Sequence, residues 1–92
     1  MRSINVNVVK TDDIDILSQL GRRIAYLRKS KRISQLELSI DSDISKSYLS
    51  DLECGRRNPS VMVLSRICAA LEITLEELFR GIVPLEQLLK AH

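Results

Sequence analysis

The sequence predicts an all-α domain of five or six short helices, preceded by one extended segment. Three observations predict it. Apolar residues recur at three- and four-residue steps through most of the chain, the period of a helix with one buried face. Ser34 with Glu37, and Thr74 with Glu77, both spell S/T-x-x-E, the capping-box signature of a helix start. Gly55 and Gly81 stand where helices need a left-handed residue to stop.

The elements follow in order. Ile4, Val6 and Val8 alternate with Asn5 and Asn7, which is strand periodicity. A lone strand has no ladder partner, so residues 1–12 are expected to form either an arm or a strand that pairs with its copy in a dimer. Asp12 or Asp13 can cap the first helix. Leu17, Leu20, Ile24 and Leu27 give it one apolar face, and it is expected to run to about Lys31. The Ser34 box opens a second helix with Leu36, Leu38 and Ile40 on its apolar side, ending near Ser42. Asp43 is the turn residue. Ser45 caps a third helix whose Leu49 and Leu52 point inward, and Gly55 stops it. Ser60, after Pro59, caps a fourth helix with Leu64, Ile67, Cys68 and Leu71 on one face. Thr74 opens a short fifth helix through Phe79. Pro84 suits the first turn of a last helix carrying Leu85, Leu88 and Leu89.

A chain of 92 residues makes one domain. At that size it buries about 60–65% of its unfolded surface, so oligomerisation would add stability. Its aromatic residues are Tyr26, Tyr48 and Phe79, so the core must be aliphatic. Net charge is +2, but its distribution is more telling. Residues 21–32 (GRRIAYLRKSKR) hold Arg22, Arg23, Arg28, Lys29, Lys31 and Arg32 and no acidic residue, and Arg56 and Arg57 form a second cluster. A basic face of this kind suits phosphate, although a solvated helix surface gives the same pattern.

Cys54 and Cys68 lack a CxxC spacing and a nearby histidine, which argues against zinc. Free thiols in a reducing cytoplasm are the expectation. No apolar run reaches the ~18 residues of a membrane span. The one histidine is His92, and no carboxylate pair or nucleophile–base set is evident, so an enzyme is not expected. Neither is a cofactor, a metal or a small-molecule ligand.

The second and third helices, joined by a short turn, make a helix-turn-helix unit. Leu49 and Leu52 fix the third helix, while Ser45, Lys46, Ser47, Ser50 and Asp51 face outward. A helix entering a major groove needs thin or reaching polar side chains, because bulky ones keep its backbone from the base edges. The stretches LGRRIAYLRKSKRISQLEL, SKSYLSDLECGRRNPS and LSRICAALEITLEELF, in this order, resemble the Cro and phage-repressor type of helix-turn-helix domain, the xenobiotic-response-element family. The resemblance covers about Leu20 to Phe79. The ICAAL segment and the short C-terminal helix are also similar to small controller proteins of restriction–modification systems.

That resemblance implies a five-helix, lambda-repressor-like domain over residues 13–81 that binds double-stranded DNA. It implies phosphate contacts for Gln35, Arg56, Arg57 and Asn58, with Ser45 and Tyr48 as further candidates. Gln35 would also brace the recognition helix. Lys46, Ser47 and Ser50 match base-reading positions, although Lys46 can equally reach a phosphate. Tyr48 either packs at the core edge or places its hydroxyl on a phosphate. Asp51 is a further base-reading candidate; it repels DNA unless it accepts from a cytosine amino group or orients a neighbour. Arg28 and Glu53 match a family pair that forms a largely buried salt bridge. The chain departs from the family pattern at Asp43, where glycine is common, and at Ser39, where alanine is usual.

One recognition helix discriminates too weakly to select a genomic site, at about 1–3 kcal/mol per base contact. A homodimer on a palindromic operator doubles the readout. Leu75, Leu78, Phe79, Ile82, Val83, Leu85, Leu88 and Leu89 are the expected dimer interface, with residues 82–92 as a dimerisation helix. The expected function is transcription regulation, for example as a repressor. The alternative is an antitoxin-like module that chiefly binds another protein.

Overall fold

The computed structural model describes residues 6–82. Five helices follow one another: α1 (Val6–Ser30), α2 (Gln35–Asp41), α3 (Lys46–Glu53), α4 (Val61–Leu71) and α5 (Leu75–Phe79). No strand occurs among the described residues. α1 corrects the expectation for the N-terminal segment. Residues 6–12 are helical rather than extended, and the helix runs through Asp12 and Asp13 instead of being capped there. Alternation over a few residues is a weak strand signal when no second strand offers a ladder, whereas extending a helix already nucleated adds one bond per residue. Residues 1–5 and 83–92, which include Ile4, Val83, Leu85, Leu88 and Leu89, lie outside the described residues.

Local chemistry sets the helix ends. The Ser34 hydroxyl accepts from the Glu37 N–H at 3.0 Å, while the Ser34 N–H donates to the Glu37 carboxylate at 3.1 Å. The Ser34 backbone N–H first, and the Ser34 hydroxyl after it, hold the Glu37 carboxyl below its usual range. Ser45, Ser60 and Thr74 cap α3, α4 and α5 by accepting from Tyr48, Val63 and Glu77. At Thr74 the box is one-sided: the hydroxyl caps α5 at 3.0 Å without the reciprocal Glu77 bond. Gly55 ends α3 at φ +79°, and Asp43 takes the left-handed conformation in the α2–α3 turn at φ +58°. Aspartate reaches that region more readily than most residues.

The core is aliphatic. Ile24, Leu38, Leu49, Leu52, Ile67, Leu71 and Leu78 are fully buried at its centre. Each such side chain contributes about 1.5–3 kcal/mol of hydrophobic stabilisation. Leu64 and Cys68 complete the α4 face, as its spacing predicts. Burial pushes the Cys68 thiol above its ordinary pKa.

α2 departs from its expected pattern. Leu36 and Ile40 are 53% and 68% exposed, so Leu38 alone is the apolar residue that α2 buries. Leu36 and Ile40 lie four residues apart and share a face, which puts Leu38 on the opposite side. The buried face is completed by Ser39 and Ser42. Their hydroxyls donate back to the carbonyls of Leu36 and Leu38 at 2.7 and 2.6 Å, so neither small polar group is stranded. The Ser42 carbonyl in turn accepts from Arg66 Nε at 3.0 Å, which ties the end of α2 to α4.

α5 packs against α1 and α4. Arg23 of α1 donates to the carbonyls of Leu78 and Glu77 at 3.1 and 2.8 Å, satisfying the end of this five-residue helix. Leu78 is fully buried within the single chain, and Leu75 and Ile82 pack against the same core. This corrects the assignment of Leu78 to a dimer interface: its surface is already spent on the monomer. Phe79, 44% exposed, still offers a surface.

Candidate nucleic-acid interface

The candidate site is α3 with the loop that follows it. Leu49 and Leu52 anchor α3 in the core, which turns the opposite side outward. Lys46 and Ser47 are exposed there, and Ser50 and Asp51 are half-buried. Ser47 and Asp51 are four residues apart and therefore share one stripe, as do Lys46 and Ser50. The surface is thin, because serine carries a single heavy atom beyond Cβ. It can both donate and accept.

The far end of α3 is held by charge. Arg28 on α1 meets Glu53 in a two-pronged pair, Nε to Oε2 at 2.7 Å and Nη2 to Oε1 at 3.0 Å. The two side chains are 10% and 7% exposed. Arg28 Nη1 donates to the Ile33 carbonyl at 2.8 Å, so the buried guanidinium is well supplied with acceptors. The hydrogen bond to Glu53 raises the Arg28 pKa against the opposing effect of burial. Gln35 Nε2 donates to Glu53 Oε1 at 2.9 Å, which links the start of α2 to the end of α3. Gln35 is thus tied to the helix that the sequence expects it to brace.

Gly21 is a structural residue outside the helix-turn-helix segment. A Cβ there would collide with the Leu52 carbonyl and come 2.7 Å from the Glu53 carbonyl. α1 and α3 therefore touch backbone to backbone beside the Arg28–Glu53 pair. The available signal was an isolated glycine inside a helical pattern, which often marks a close approach.

Past Gly55, Arg56 and Arg57 fold back on α3. Arg56 Nη1 donates to Asp51 Oδ1 at 3.2 Å, and Arg57 Nη2 donates to Asp51 Oδ2 at 3.4 Å. The Arg57 guanidinium also lies over the Tyr48 ring, 5.3 Å from its centre. Tyr48 packs its ring against the edge of the core. Ser45 is engaged as the α3 cap, and Asn58 is exposed in the loop. The structure therefore brings Lys46, Ser47, Ser50, Asp51, Arg56 and Arg57 onto one continuous surface. Arg22, Lys29, Lys31 and Arg32 add exposed positive charge from α1 and the turn after it. No group of side chains suited to a metal ion, and no helix long and apolar enough to cross a membrane, occurs among the described residues.

The helix-turn-helix family model matches residues 24–78, which spans α2, the turn, α3 and the helices that buttress them. The chain belongs to the helix-turn-helix family. It is 41% identical over 69 residues to the control protein C.MunI of a Mycoplasma species, covering 74% of this chain and 93% of that protein. It is 48% identical over 61 residues to the HTH-type transcriptional regulator SlrR of Bacillus subtilis, where the match spans 65% of this chain but only 40% of SlrR. Among solved structures, the restriction-modification controller protein C.AhdI from Aeromonas hydrophila superimposes with a TM-score of 0.67 at 36% identity, covering 68% of this chain and 96% of that one. These relatives are regulators and controllers rather than enzymes, and the C.AhdI structure shares this fold.

Proposed function

We propose that this chain is a sequence-specific DNA-binding transcriptional regulator that reads a palindromic operator as a homodimer. The observation that carries the reading is the α3 surface. Small polar residues and Lys46 face outward on a helix locked from behind by Leu49, Leu52 and the Arg28–Glu53 pair. A rigid, thin, polar helix face flanked by arginines suits a major groove bordered by phosphates. In this reading Lys46, Ser47 and Ser50 meet base edges. Gln35, Ser45, Tyr48, Arg56, Arg57 and Asn58 meet the backbone. The controller-protein relatives support regulation of transcription as the outcome. The two-fold copy is assigned to Leu75, Phe79 and Ile82, which the single chain leaves partly or largely exposed, with Val83, Leu85, Leu88 and Leu89.

Selection of bound duplexes from a random pool tests the reading. A palindrome should emerge, with half-sites about 34 Å apart. Lys46→Ala should relax preference at one position per half-site. Arg56→Ala should weaken every site and lower the salt slope by about one. Equal losses for both variants on every sequence would defeat the division into base readers and backbone anchors. A monomeric mass by light scattering at tens of micromolar would defeat the dimer.

One observation favours the antitoxin-like alternative. Leu36, Ile40, Val61 and Met62 are exposed apolar residues on α2 and α4. A stable complex with a co-encoded protein, formed without DNA, would support that module.

A further inference from the structure

We infer that Asp51 couples backbone anchoring to base reading: it holds Arg56 and Arg57 in the free protein and releases them only on a duplex that presents a hydrogen-bond donor to its carboxylate. The inference rests on the DNA-binding reading above and goes beyond it. Three observations carry it. Asp51 bonds one arginine with each carboxylate oxygen, at 3.2 and 3.4 Å. Asp51 shares its helix stripe with Ser47, so its carboxylate lies on the outward face rather than behind it. Both arginine side chains are solvent-exposed, at 68% and 50%, so a phosphate can reach them without unfolding anything.

The arrangement imposes an exchange. Two positive charges and one negative charge sum to a single positive charge at the loop. On an arbitrary duplex the arginines can stay clasped, and the loop then contributes one net cation. For both to seat on phosphates, Asp51 must give them up. A bare carboxylate then faces the groove, against the potential of the backbone. The cytosine N4 amino group is a donor that the major groove displays, and it would take the place the guanidinium groups vacated. Exposed pairs at these distances are weak, so the exchange is easily reversed. A weak clasp can filter sites without trapping the protein. Asp51 thereby becomes a specificity residue whose wrong-sign charge is the means of rejection.

The test uses the full chain with Asp51→Asn and Asp51→Ala, each checked for an unchanged melting temperature. Affinity is measured on a selected site and on a duplex of unrelated sequence, across a salt series. The expected result is a rise of about threefold to tenfold in affinity for the unrelated duplex, with a salt slope steeper by about one. On the selected site the slope should match that of the wild type, and the ratio of specific to non-specific affinity should fall. Preference for cytosine at one position per half-site should disappear in Asp51→Ala. Loss of affinity for both duplexes would overturn the inference, because Asp51 would then be positioning the arginines for phosphate. An unchanged ratio would overturn it equally. If the wild type itself showed no salt-dependent affinity for any duplex, the DNA-binding reading would fall instead.

Discussion

Glu53→Gln should destabilise this domain far more than a typical carboxylate-to-amide change. Glutamine keeps the shape and one acceptor oxygen. It also turns an NH2 group toward a donor: Arg28 Nε if it replaces Oε2, or both Arg28 Nη2 and Gln35 Nε2 if it replaces Oε1. Arg28 remains charged, with its side chain only 10% exposed, and keeps two neutral acceptors, the Ile33 carbonyl and the single glutamine oxygen. Breaking one side of a buried pair costs about 3–5 kcal/mol, because the surviving charge is stranded. The Ile33 bond and the retained oxygen place this case at the low end, about 3 kcal/mol. A domain of this size holds roughly 5–15 kcal/mol in total, so the loss is a large share. At about 4–8 °C per kcal/mol, the melting temperature should fall by ~12–24 °C. Thermal and urea unfolding followed by circular dichroism would read it, with the urea slope unchanged if only stability moves. A fall of less than about 4 °C would show that the pair is not effectively buried. A second variant separates charge from packing. Replacing both Arg28 and Glu53 with methionine should cost less than Glu53→Gln alone, since no charge is then left unpaired.

Three further outcomes are expected. Gly21→Ala should lower the melting temperature although alanine is the better helix former, because the new Cβ meets backbone carbonyls of Leu52 and Glu53 that cannot rotate away; an overpacking cost of about 1–3 kcal/mol exceeds or cancels the ~1 kcal/mol propensity gain, so a stabilised variant would refute the close contact. Cys54 is exposed and Cys68 buried, with the Cys68 thiol pushed up by burial; an aromatic disulfide reagent should therefore react quickly with one thiol and reach the second only on unfolding. Glu37 has its pKa lowered by the Ser34 bonds, so its stabilisation is fully present above the ordinary carboxylate value and is lost as pH falls through the lowered one; the gap in melting temperature between wild type and Glu37→Gln should be constant near neutrality and close below about pH 4.

Much of this molecule was legible because its signals are local. Ser34, Ser45, Ser60 and Thr74 cap the helices they were read as capping, since a cap is decided by a hydroxyl and an N–H three residues on. The α4 face and the anchors Leu49 and Leu52 followed from period alone. Periodicity failed on α2, whose seven residues are too few to separate one apolar face from another, and whose buried face uses two serines. It failed at residues 6–8, where alternation was read as a strand and the backbone is helical. Leu78 looked like surplus apolar surface because nothing in its neighbours reveals that α1 and α4 close around it.

The candidate site divides the same way. Its thin polar face and its flanking arginines stand in SKSYLSDLECGRR, and the resemblance supplied their roles. Asp51 was the residue whose sign made no sense in one dimension. Its partners are five and six residues away, beyond the helix and around Gly55, and only the return of the loop brings them within 3.2 and 3.4 Å. The sequence by itself determined the helices from α2 onward, their caps, the inward faces of α3 and α4 and the chemistry presented by α3. The tertiary structure decided which charges are neutralised, which glycine permits contact and which leucine the core consumes. The reason is range: caps and periods act within a turn or two of chain, whereas burial and charge pairing depend on distances that exist only after the helices have packed.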